Sequence, residues 1–218
     1  MARTEFGVAI GSILIVAGVL AIPILSPAPV VAPIVIPHVL PKPTATSTAS
    51  PSADLVGTGC AAYTAQTPTG PGSIDGMALS PVATAVASNP LLTTLNSAIS
   101  GKTNAKVNLV ASLNAAQFTI FAPVDSAWAK LPAATLSSYK LSSNAAKLTG
   151  ILNYHVVPGQ LLPAQVTGTL PTVQGGSLTI TGAGADMKIN GASLICGGIH
   201  TANATVYLID TVLTPPAK

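Results

Sequence analysis

Residue types that commonly perform catalysis are sparse in the part of the chain that follows Cys60. It contains two histidines, four aspartates and no glutamate. His155 and His200 are too few and too far apart to match a metal-binding motif, and no serine lies in the Gly-x-Ser-x-Gly pattern of serine hydrolases. Residues 182–187 (GAGADM) only half resemble a dinucleotide-binding loop, because they lie between short predicted strands rather than before a helix. We therefore predict a non-enzymatic protein with no cofactor and no metal site.

The chain has two cysteines, Cys60 and Cys196. An even number of cysteines in an exported protein favours a disulfide, whereas a redox-active pair would normally show a Cys-x-x-Cys spacing, which is absent here. We predict a structural disulfide that closes most of the domain into one loop. The chain-entropy estimate of its contribution to stability is about 4–5 kcal/mol at most.

The composition is poor in charge. Only 7% of the residues are charged, against about 25% in ordinary globular domains. Hydroxyl, amide and backbone groups, rather than ions, must therefore make the surface hydrophilic. Such a surface is typical of an exported, wall-associated protein. The basic residues after Cys60 are all lysines, and they are scattered rather than gathered into the stripe that nucleic-acid binding requires. We expect no nucleic-acid partner.

A long apolar segment lies near the amino terminus, at residues 7–25 (GVAIGSILIVAGVLAIPIL). It is either the core of a signal peptide or an uncleaved membrane anchor. Val19 and Ala21 fit the small-residue rule for cleavage after Ala21, whereas the length of the segment and the prolines that follow favour an anchor. No lipobox is present, because Cys60 lies far beyond the apolar core, and we expect no lipid attachment.

These patterns divide the chain into three regions. Residues 1–25 are the signal peptide or membrane anchor. Residues 26–58 are a disordered spacer rich in proline, threonine and serine, since such a tract cannot build a core. Residues 59–218 form one domain that is long enough for a single core. Sugars attached to the spacer are a hypothesis that the sequence leaves open.

Helices are predicted mainly in the first half of the domain. Asn89 is a plausible N-cap, with Pro90 at the first helical position and Gly101 as the stop signal. A second helix is predicted at residues 144–152, where apolar residues recur on one face.

A strand is predicted at residues 117–122, followed by a short helix that Asp125 would cap. That helix holds Trp128, which either packs in the core, the commoner fate of tryptophan, or stacks on sugars. Four short strands are predicted in the second half, at residues 170–174, 177–181, 187–190 and 192–196.

The longest strand is predicted at residues 205–214 (TVYLIDTVLT). Both of its faces are apolar, which is typical of a central strand covered on both sides. We expect Asp210 to accept hydrogen bonds from a neighbouring turn, because an unpaired carboxylate in this setting would be costly. Helices grouped before strands predict an α+β domain.

Three segments, in this order, resemble the signatures of the fasciclin domain family. They are FTIFAPVDSAWAKLP (Phe118–Pro132), LNYHVVPGQL (Leu152–Leu161) and TANATVYLIDTVLTPP (Thr201–Pro216). The opening of the domain also looks like that of the mycobacterial secreted and surface members of this family, which have a cysteine at each place corresponding to Cys60 and Cys196. The resemblance implies a fasciclin-type fold, a wedge of two β-sheets with helices packed along one edge, and adhesion or binding rather than catalysis.

The resemblance also suggests a binding site. The Tyr-His adhesion motif of animal members is matched by Tyr154 and His155, with Ile151 and Leu152 as neighbouring aliphatic residues. The same side chains are equally part of the fold, and a structural role in which His155 bonds backbone or hydroxyl groups is the simpler interpretation. In some animal members an Asp-Ile pair binds integrins. The matching place here is occupied by Gly198-Ile199, so the acidic residue is missing.

We therefore expect an adhesion or interaction module of the bacterial cell envelope, either secreted or tethered to the cell membrane or cell wall. Its partner would be an extracellular protein or glycan, and membrane contact would occur only through the amino-terminal segment. The alternative is a carrier of a small apolar ligand such as a lipid, held in a cleft between the helices and the sheet edge. A third interpretation is a passive wall spacer.

Overall fold

A computed structural model describes residues 51–216. The predicted signal peptide or anchor and the spacer up to residue 50 lie outside the described residues. Within residues 51–216, no helix is both long enough and apolar enough to cross a bilayer.

Helices dominate the first half of the described chain and strands the second, which confirms the α+β class. The helices are α1 Cys60–Gln66, α2 Ile74–Ala78, α3 Val82–Ser88, α4 Thr93–Ile99, α5 Val110–Asn114, α6 Asp125–Ala129, α7 Ala133–Tyr139 and α8 Ala145–Tyr154. The strands are β1 Phe118–Pro123, β2 Val156–Pro158, β3 Gly168–Pro171, β4 Ser177–Thr181, β5 Lys188–Ile189, β6 Ala192–His200 and β7 Ala204–Ile209. The four short strands predicted in the second half correspond to β3–β6, although β3 ends earlier and β6 continues four residues further.

The strands are hydrogen-bonded in the order β2-β1-β7-β6-β5-β4-β3. Strands β1 and β7 run parallel, and every other neighbouring pair is antiparallel. Strand β6 links the two parts of the sheet, because Ala192 and Ser193 pair with β5 while the residues from Leu194 to His200 pair with β7. Its pairing with β7 shifts register on both sides of Cys196, which bends the strand.

Strand β7 is central, as its sequence predicts. All six of its residues are buried. Val206 and Leu208 pack in a cluster with the helices, and Tyr207 and Ile209 pack in a second cluster with β4 and β5. The strand is shorter than the predicted 205–214, because it ends at Ile209.

Asp210 directly follows β7 and accepts hydrogen bonds, although from strand β6 and the adjacent Thr211 rather than from a neighbouring turn. Its carboxylate accepts from the Ser193 backbone N–H at 2.8 Å and from the Thr211 hydroxyl at 2.9 Å. Lys130 lies 3.2 Å from the same carboxylate in an exposed ion pair. Partial burial opposes ionisation, but these bonds outweigh it and lower the pKa of Asp210. The carboxylate thus holds the end of β7 to β6.

The predicted helix start at Asn89 and Pro90 is wrong. Asn89 instead follows the last residue of α3, and the next helix begins at Thr93. The Asn89 side chain is buried, where its amide donates to the Tyr63 hydroxyl at 2.9 Å and its oxygen accepts from the Leu91 N–H at 2.9 Å. An Asn-Pro pair that looks like a helix start therefore forms a buried turn between two helices.

Asp125 caps a different helix from the one predicted. It is the first residue of α6, and its carboxylate accepts from the N–H groups of Thr93 and Thr94 at 3.3 and 2.8 Å and from the Thr93 hydroxyl at 2.7 Å. These bonds outweigh partial burial and lower the pKa of Asp125. Asp125 therefore ties the signature segment to the start of α4.

Replacing Asp125 with alanine is expected to lower the free energy of unfolding by about 1–2 kcal/mol, because the first turn of α4 loses its side-chain acceptor. Urea unfolding at pH 7 measures the change. Asp186→Ala is the matched control, since Asp186 is exposed and should change stability by no more than about 0.5 kcal/mol. Equal effects of the two substitutions would contradict the capping role.

Residues 54–59, here called the strap, lie along β6. Val56 and Gly197 exchange two backbone hydrogen bonds, the Gly59 N–H donates to the Ile195 carbonyl at 2.9 Å, and Asp54 lies 2.8 Å from the ring Nε2 of His200. The packed domain thus begins before residue 59, the predicted start of the domain.

The predicted disulfide is confirmed. Cys60, the first residue of α1, is bonded to Cys196 in β6. The bond lies directly after the strap, so covalent and hydrogen-bonded contacts fix the same stretch of chain to β6.

Candidate functional site

The four residues predicted as a binding site lie in the interior. Ile151, Leu152, Tyr154 and His155 are between 1% and 4% exposed. They occupy the end of α8 and the first residue after it. Tyr154 and His155 are enclosed by the fold, where their polar groups hold other segments in place.

His155 joins three separate parts of the chain. Its Nδ1 lies 2.8 Å from the Ile151 carbonyl oxygen, and its Nε2 accepts from the Leu213 N–H at 3.0 Å. Because a carbonyl can only accept, the ring proton is on Nδ1. The backbone carbonyl of His155 accepts from the Phe121 N–H in β1. The residue thus fixes α8 to β1 and to the chain beyond β7.

Burial lowers the pKa of His155 to about 4, although its hydrogen bond to the Ile151 carbonyl acts in the opposite direction. The ring is therefore neutral at physiological pH, and both of its nitrogens are already bonded. A buried neutral imidazole with no free nitrogen serves the fold rather than proton transfer.

Stability should fall on acidification between pH 6.5 and pH 4. His155 is neutral in the folded protein but takes up a proton near pH 6.5 when unfolded, so its contribution is complete above pH 6.5 and is lost as the pH falls to its folded pKa of about 4. The expected loss is on the order of 3 kcal/mol. Urea unfolding across this window measures it, and His155→Gln should flatten the slope. A wild-type curve that is flat from pH 6.5 to 4 would contradict the assignment.

Tyr154 fixes the part of the sheet that contains β4 and β5. Its hydroxyl donates to the Ser177 carbonyl at 2.8 Å and accepts from the Asn190 amide at 2.8 Å. Gly176 packs against its ring, where an added Cβ would lie 3.0 Å from a ring carbon. Tyr154 thereby fixes β4 and the Asn190 turn relative to α8.

An open cleft lies beside this buried network, between α7, α8 and the carboxyl-terminal segment. We call it the α7–α8 cleft. Its volume is about 510 Å³, within the range of 300–1,000 Å³ that is typical of binding pockets. Its walls are formed by Thr135, Tyr139, Ala146, Lys147, Gly150, Ile151, Gln174, Thr214 and Pro215.

The buried network positions two walls of this cleft. The bond from Leu213 to His155 fixes the chain just before Thr214 and Pro215. The Val173 N–H donates to the Val156 carbonyl at 2.8 Å, which holds the Gln174 loop beside the end of α8. Of the four predicted residues, only Ile151 itself lines the cleft. The Tyr-His segment therefore holds the walls of the cleft in position, and its own side chains form little of the cleft surface.

The chemistry of the cleft favours binding. Lys147 is exposed, no acidic residue is among its described lining residues, and hydroxyl and amide groups alternate with apolar carbon. In residues 51–216 no three histidine, cysteine or acidic side chains are grouped so as to hold a metal ion. The arrangement can hold an uncharged or anionic surface by contact and hydrogen bonding.

The alternative function is carriage of an apolar ligand, but little space is available for a ligand between the helices and the sheet. An apolar cavity there, lined among others by Val86, Leu113 and Phe121, has a volume of about 20 Å³. A water molecule occupies about 30 Å³ in the liquid. A lipid would fit only if the walls moved apart, so this geometry gives the carrier no support.

Asn203 begins an Asn-Ala-Thr glycosylation sequon, but its side chain is fully used in the fold. Its amide donates to the Leu113 and Ala116 carbonyls, each at 2.8 Å, and its oxygen accepts from the Val82 N–H at 2.9 Å. A sugar on this nitrogen would replace one of its two hydrogens and so break at least one of these donated bonds. The side chain is used to join α3, α5 and β7.

The sequence did not indicate Tyr139, Lys147 or Gln174 as site residues. Pro132 directly precedes α7 and was a usable signal for that helix, because proline is common at helix starts. Nothing in the sequence places Thr135 near Pro215, since the cleft combines segments from across the domain.

Comparison with known proteins identifies the family. A sequence model of the Fasciclin domain matches residues 90–215. The chain belongs to the fasciclin domain family. It is 56% identical over 175 residues to the cell surface glycolipoprotein MPT83 of Mycobacterium tuberculosis, which covers 80% of this chain and 79% of that protein. It is 54% identical over 173 residues to the immunogenic protein MPB70 of Mycobacterium bovis, which covers 79% of this chain and 89% of that protein.

A solved structure supports the fasciclin fold. The structure of a FAS1 domain pair from the insect cell adhesion molecule Fasciclin I matches with a TM-score of 0.53 at 17% identity, covering 66% of this chain and 52% of that chain. At this identity the likeness shows the fold alone. Coverage of about half is what one fasciclin domain gives against a pair.

Proposed function

We propose that this fasciclin protein acts outside the cytoplasm as a non-catalytic interaction module, attaching to an extracellular partner through the α7–α8 cleft. The observation that carries the proposal is the cleft itself. It is open and of ligand-binding size, and two of its walls are positioned by the segment that resembles the adhesion motif of the family.

An extracytoplasmic location is supported by the relatives and by composition. One relative is named a cell surface glycolipoprotein and another an immunogenic protein. The amino-terminal apolar segment, the low charge and the Cys60–Cys196 disulfide are typical of exported proteins. Secretion and tethering are both compatible with these features.

A non-catalytic role is supported by the hydrogen bonding of the polar groups in the Tyr-His segment. His155 is neutral and bonded through both nitrogens, and the Tyr154 hydroxyl is bonded to two partners. Polar side chains whose hydrogen-bonding groups are all used in this way stabilise the fold and have no donor or acceptor left for a substrate.

Binding of the labelled, full-length exported protein to bacterial cells, host cells and extracellular matrix tests the proposal. Saturable binding to at least one surface is expected. An Ala146→Arg, Lys147→Glu variant should weaken it about tenfold or more, because both positions are exposed on the cleft wall. Lys188→Glu on β5, which repeats the charge reversal made at Lys147, is the matched control and should bind normally.

Two results would contradict the proposal. One is the absence of saturable binding to all three surfaces. The other is equal binding by the cleft variant and the β5 control, which would place the interaction surface elsewhere on the fasciclin domain. Circular dichroism and thermal unfolding establish that both variants are folded before binding is measured.

A further inference from the structure

A second, smaller hollow lies near Tyr139, a residue of the α7–α8 cleft wall. We call it the Trp128 cavity. It has a volume of about 180 Å³ and lies among α4, α6, α7 and α8. Tyr139 lines both hollows. The two hollows therefore adjoin one another at this side chain.

Trp128 lines this cavity and carries an unsatisfied donor. The side chain is 3% exposed, and its indole Nε1 has no hydrogen-bond partner among the residues that the structure describes. Buried polar groups in native proteins are nearly always bonded, and an exception calls for a reason. The N–H itself exposes less than 1 Å², so an acceptor atom in the cavity supplies the missing partner after the neighbouring side chains shift.

Further donors line the same cavity. For the Tyr139 hydroxyl, the Thr103 hydroxyl and the Lys140 ammonium, no bond to another described residue is found, and each can donate. Burial raises the pKa of Tyr139, so its hydroxyl keeps its proton at neutral pH. Leu136 and Leu148 provide apolar walls. The cavity thus combines an apolar lining with an excess of donors.

The charge around the two hollows is positive. Lys140 lines the cavity and Lys147 lines the cleft, and no acidic side chain is among the described lining residues of either. Asp125 is the acidic residue bound to a lining residue, Thr94, and its oxygens are already bonded at the start of α4. An anionic group would meet cations here without an opposing carboxylate.

We propose that the Trp128 cavity binds one sugar ring that carries a carboxylate or phosphate group, as a unit of an extracellular glycan whose continuation lies in the α7–α8 cleft. A sugar ring has apolar C–H faces for the leucine and tryptophan walls and many acceptor oxygens for the donors. The small volume admits a single ring rather than a drug-sized ligand. This inference names the partner class of the proposed interaction module and rests on that proposed function.

The protein offers a direct reporter, because it contains a single tryptophan. We would titrate the ¹⁵N-labelled, full-length protein with D-glucuronate, D-glucose 6-phosphate and D-glucose while following the one indole N–H resonance. Saturable shifts are expected with at least one of the two anionic sugars, and which of them binds separates carboxylate from phosphate recognition. Glucose should bind at least about tenfold more weakly, because a hydrogen bond to a charged group contributes more than a neutral one.

Matched variants locate the site. Tyr139→Phe removes one hydroxyl and Lys140→Gln removes one charge from the cavity, and each should weaken binding of the anionic sugar about tenfold. Lys188→Gln removes a charge on β5 and should leave binding unchanged. Because Lys140 and Lys188 are both exposed, neither substitution should disturb folding, and the position of the free-state indole resonance verifies this.

Three results would overturn the inference. The first is an indole resonance that no sugar shifts, the second is glucose binding as tightly as the anionic sugars, and the third is equal loss of binding in the Lys140 and Lys188 variants. The sugar titration tests this inference, and the surface-binding assay tests the proposed function, so the two can fail independently. Retained cell binding with no sugar response would remove this inference alone, whereas a sugar response without any surface binding would remove the proposed function.

Discussion

Removal of the Cys60–Cys196 disulfide is expected to lower the free energy of unfolding by up to about 5 kcal/mol. The bond joins residues 136 positions apart, and constraint of so long a loop in the unfolded chain gives about this value in the chain-entropy estimate. A loss of this size is a large fraction of the 5–15 kcal/mol typical of a domain. The fold should survive at low temperature, because β6 and β7 remain buried in two separate clusters.

Guanidinium unfolding of a Cys60→Ala, Cys196→Ala variant measures this contribution. Reducing agent should destabilise the wild type towards the variant and leave the variant unchanged, which separates loss of the bond from loss of side-chain packing. A difference below about 1 kcal/mol would show that the strap already provides the constraint, and would contradict a structural role for the disulfide.

Substitution of Gly198 by alanine is expected to cost about 4 kcal/mol. Gly198 has a φ of +73°, and an added Cβ would lie 1.9 Å from the Asp54 carbonyl oxygen in the strap. Left-handed backbone costs a residue with a Cβ about 1–2 kcal/mol, and overpacking adds about 1–3 kcal/mol. The strap must shift away from β6, which breaks its bonds to Gly197 and His200. The same crowding explains why the acidic residue of animal integrin-binding members has no place here.

Gly150→Ala is the matched control. Gly150 lies inside α8, and a Cβ there meets no atom within 4 Å. Alanine is favoured over glycine within a helix by about 0.5–1 kcal/mol, so this variant should be more stable than the wild type. Thermal unfolding of the two variants compares the same chemical change at two sites. A destabilising Gly150→Ala, or a neutral Gly198→Ala, would contradict the account of the strap.

Features that depend on local sequence patterns could be predicted from the sequence. Continuous apolar character on both faces identified β7 as central, and the Cys pair and the three fasciclin signatures gave the disulfide and the fold. Local caps were less informative. Asp125 looks like the cap of its own helix, yet it bonds Thr93 and Thr94 in another helix, and no local pattern distinguishes the two possibilities.

Features that depend on contacts distant in the sequence could not be predicted in this way. The strap resembles the spacer in composition, and its order comes from backbone pairing with Gly197 and Ile195 in β6. The candidate site shows the same limit. The motif residues Tyr154 and His155 were recognisable in the sequence, but their inward direction and the cleft that they position required the assembled fold.

The ionisation of His155 in the folded protein tests the central claim most directly, namely that the Tyr-His segment holds the binding surface in place and does not itself contact a partner. A long-range ¹H–¹⁵N correlation spectrum recorded from pH 5.5 to 8 reports both ring nitrogens. We predict a proton on Nδ1 and none on Nε2 throughout this range. A ring that titrates near pH 6.5 with exchanging tautomers would mean a solvent-accessible histidine and would contradict the claim.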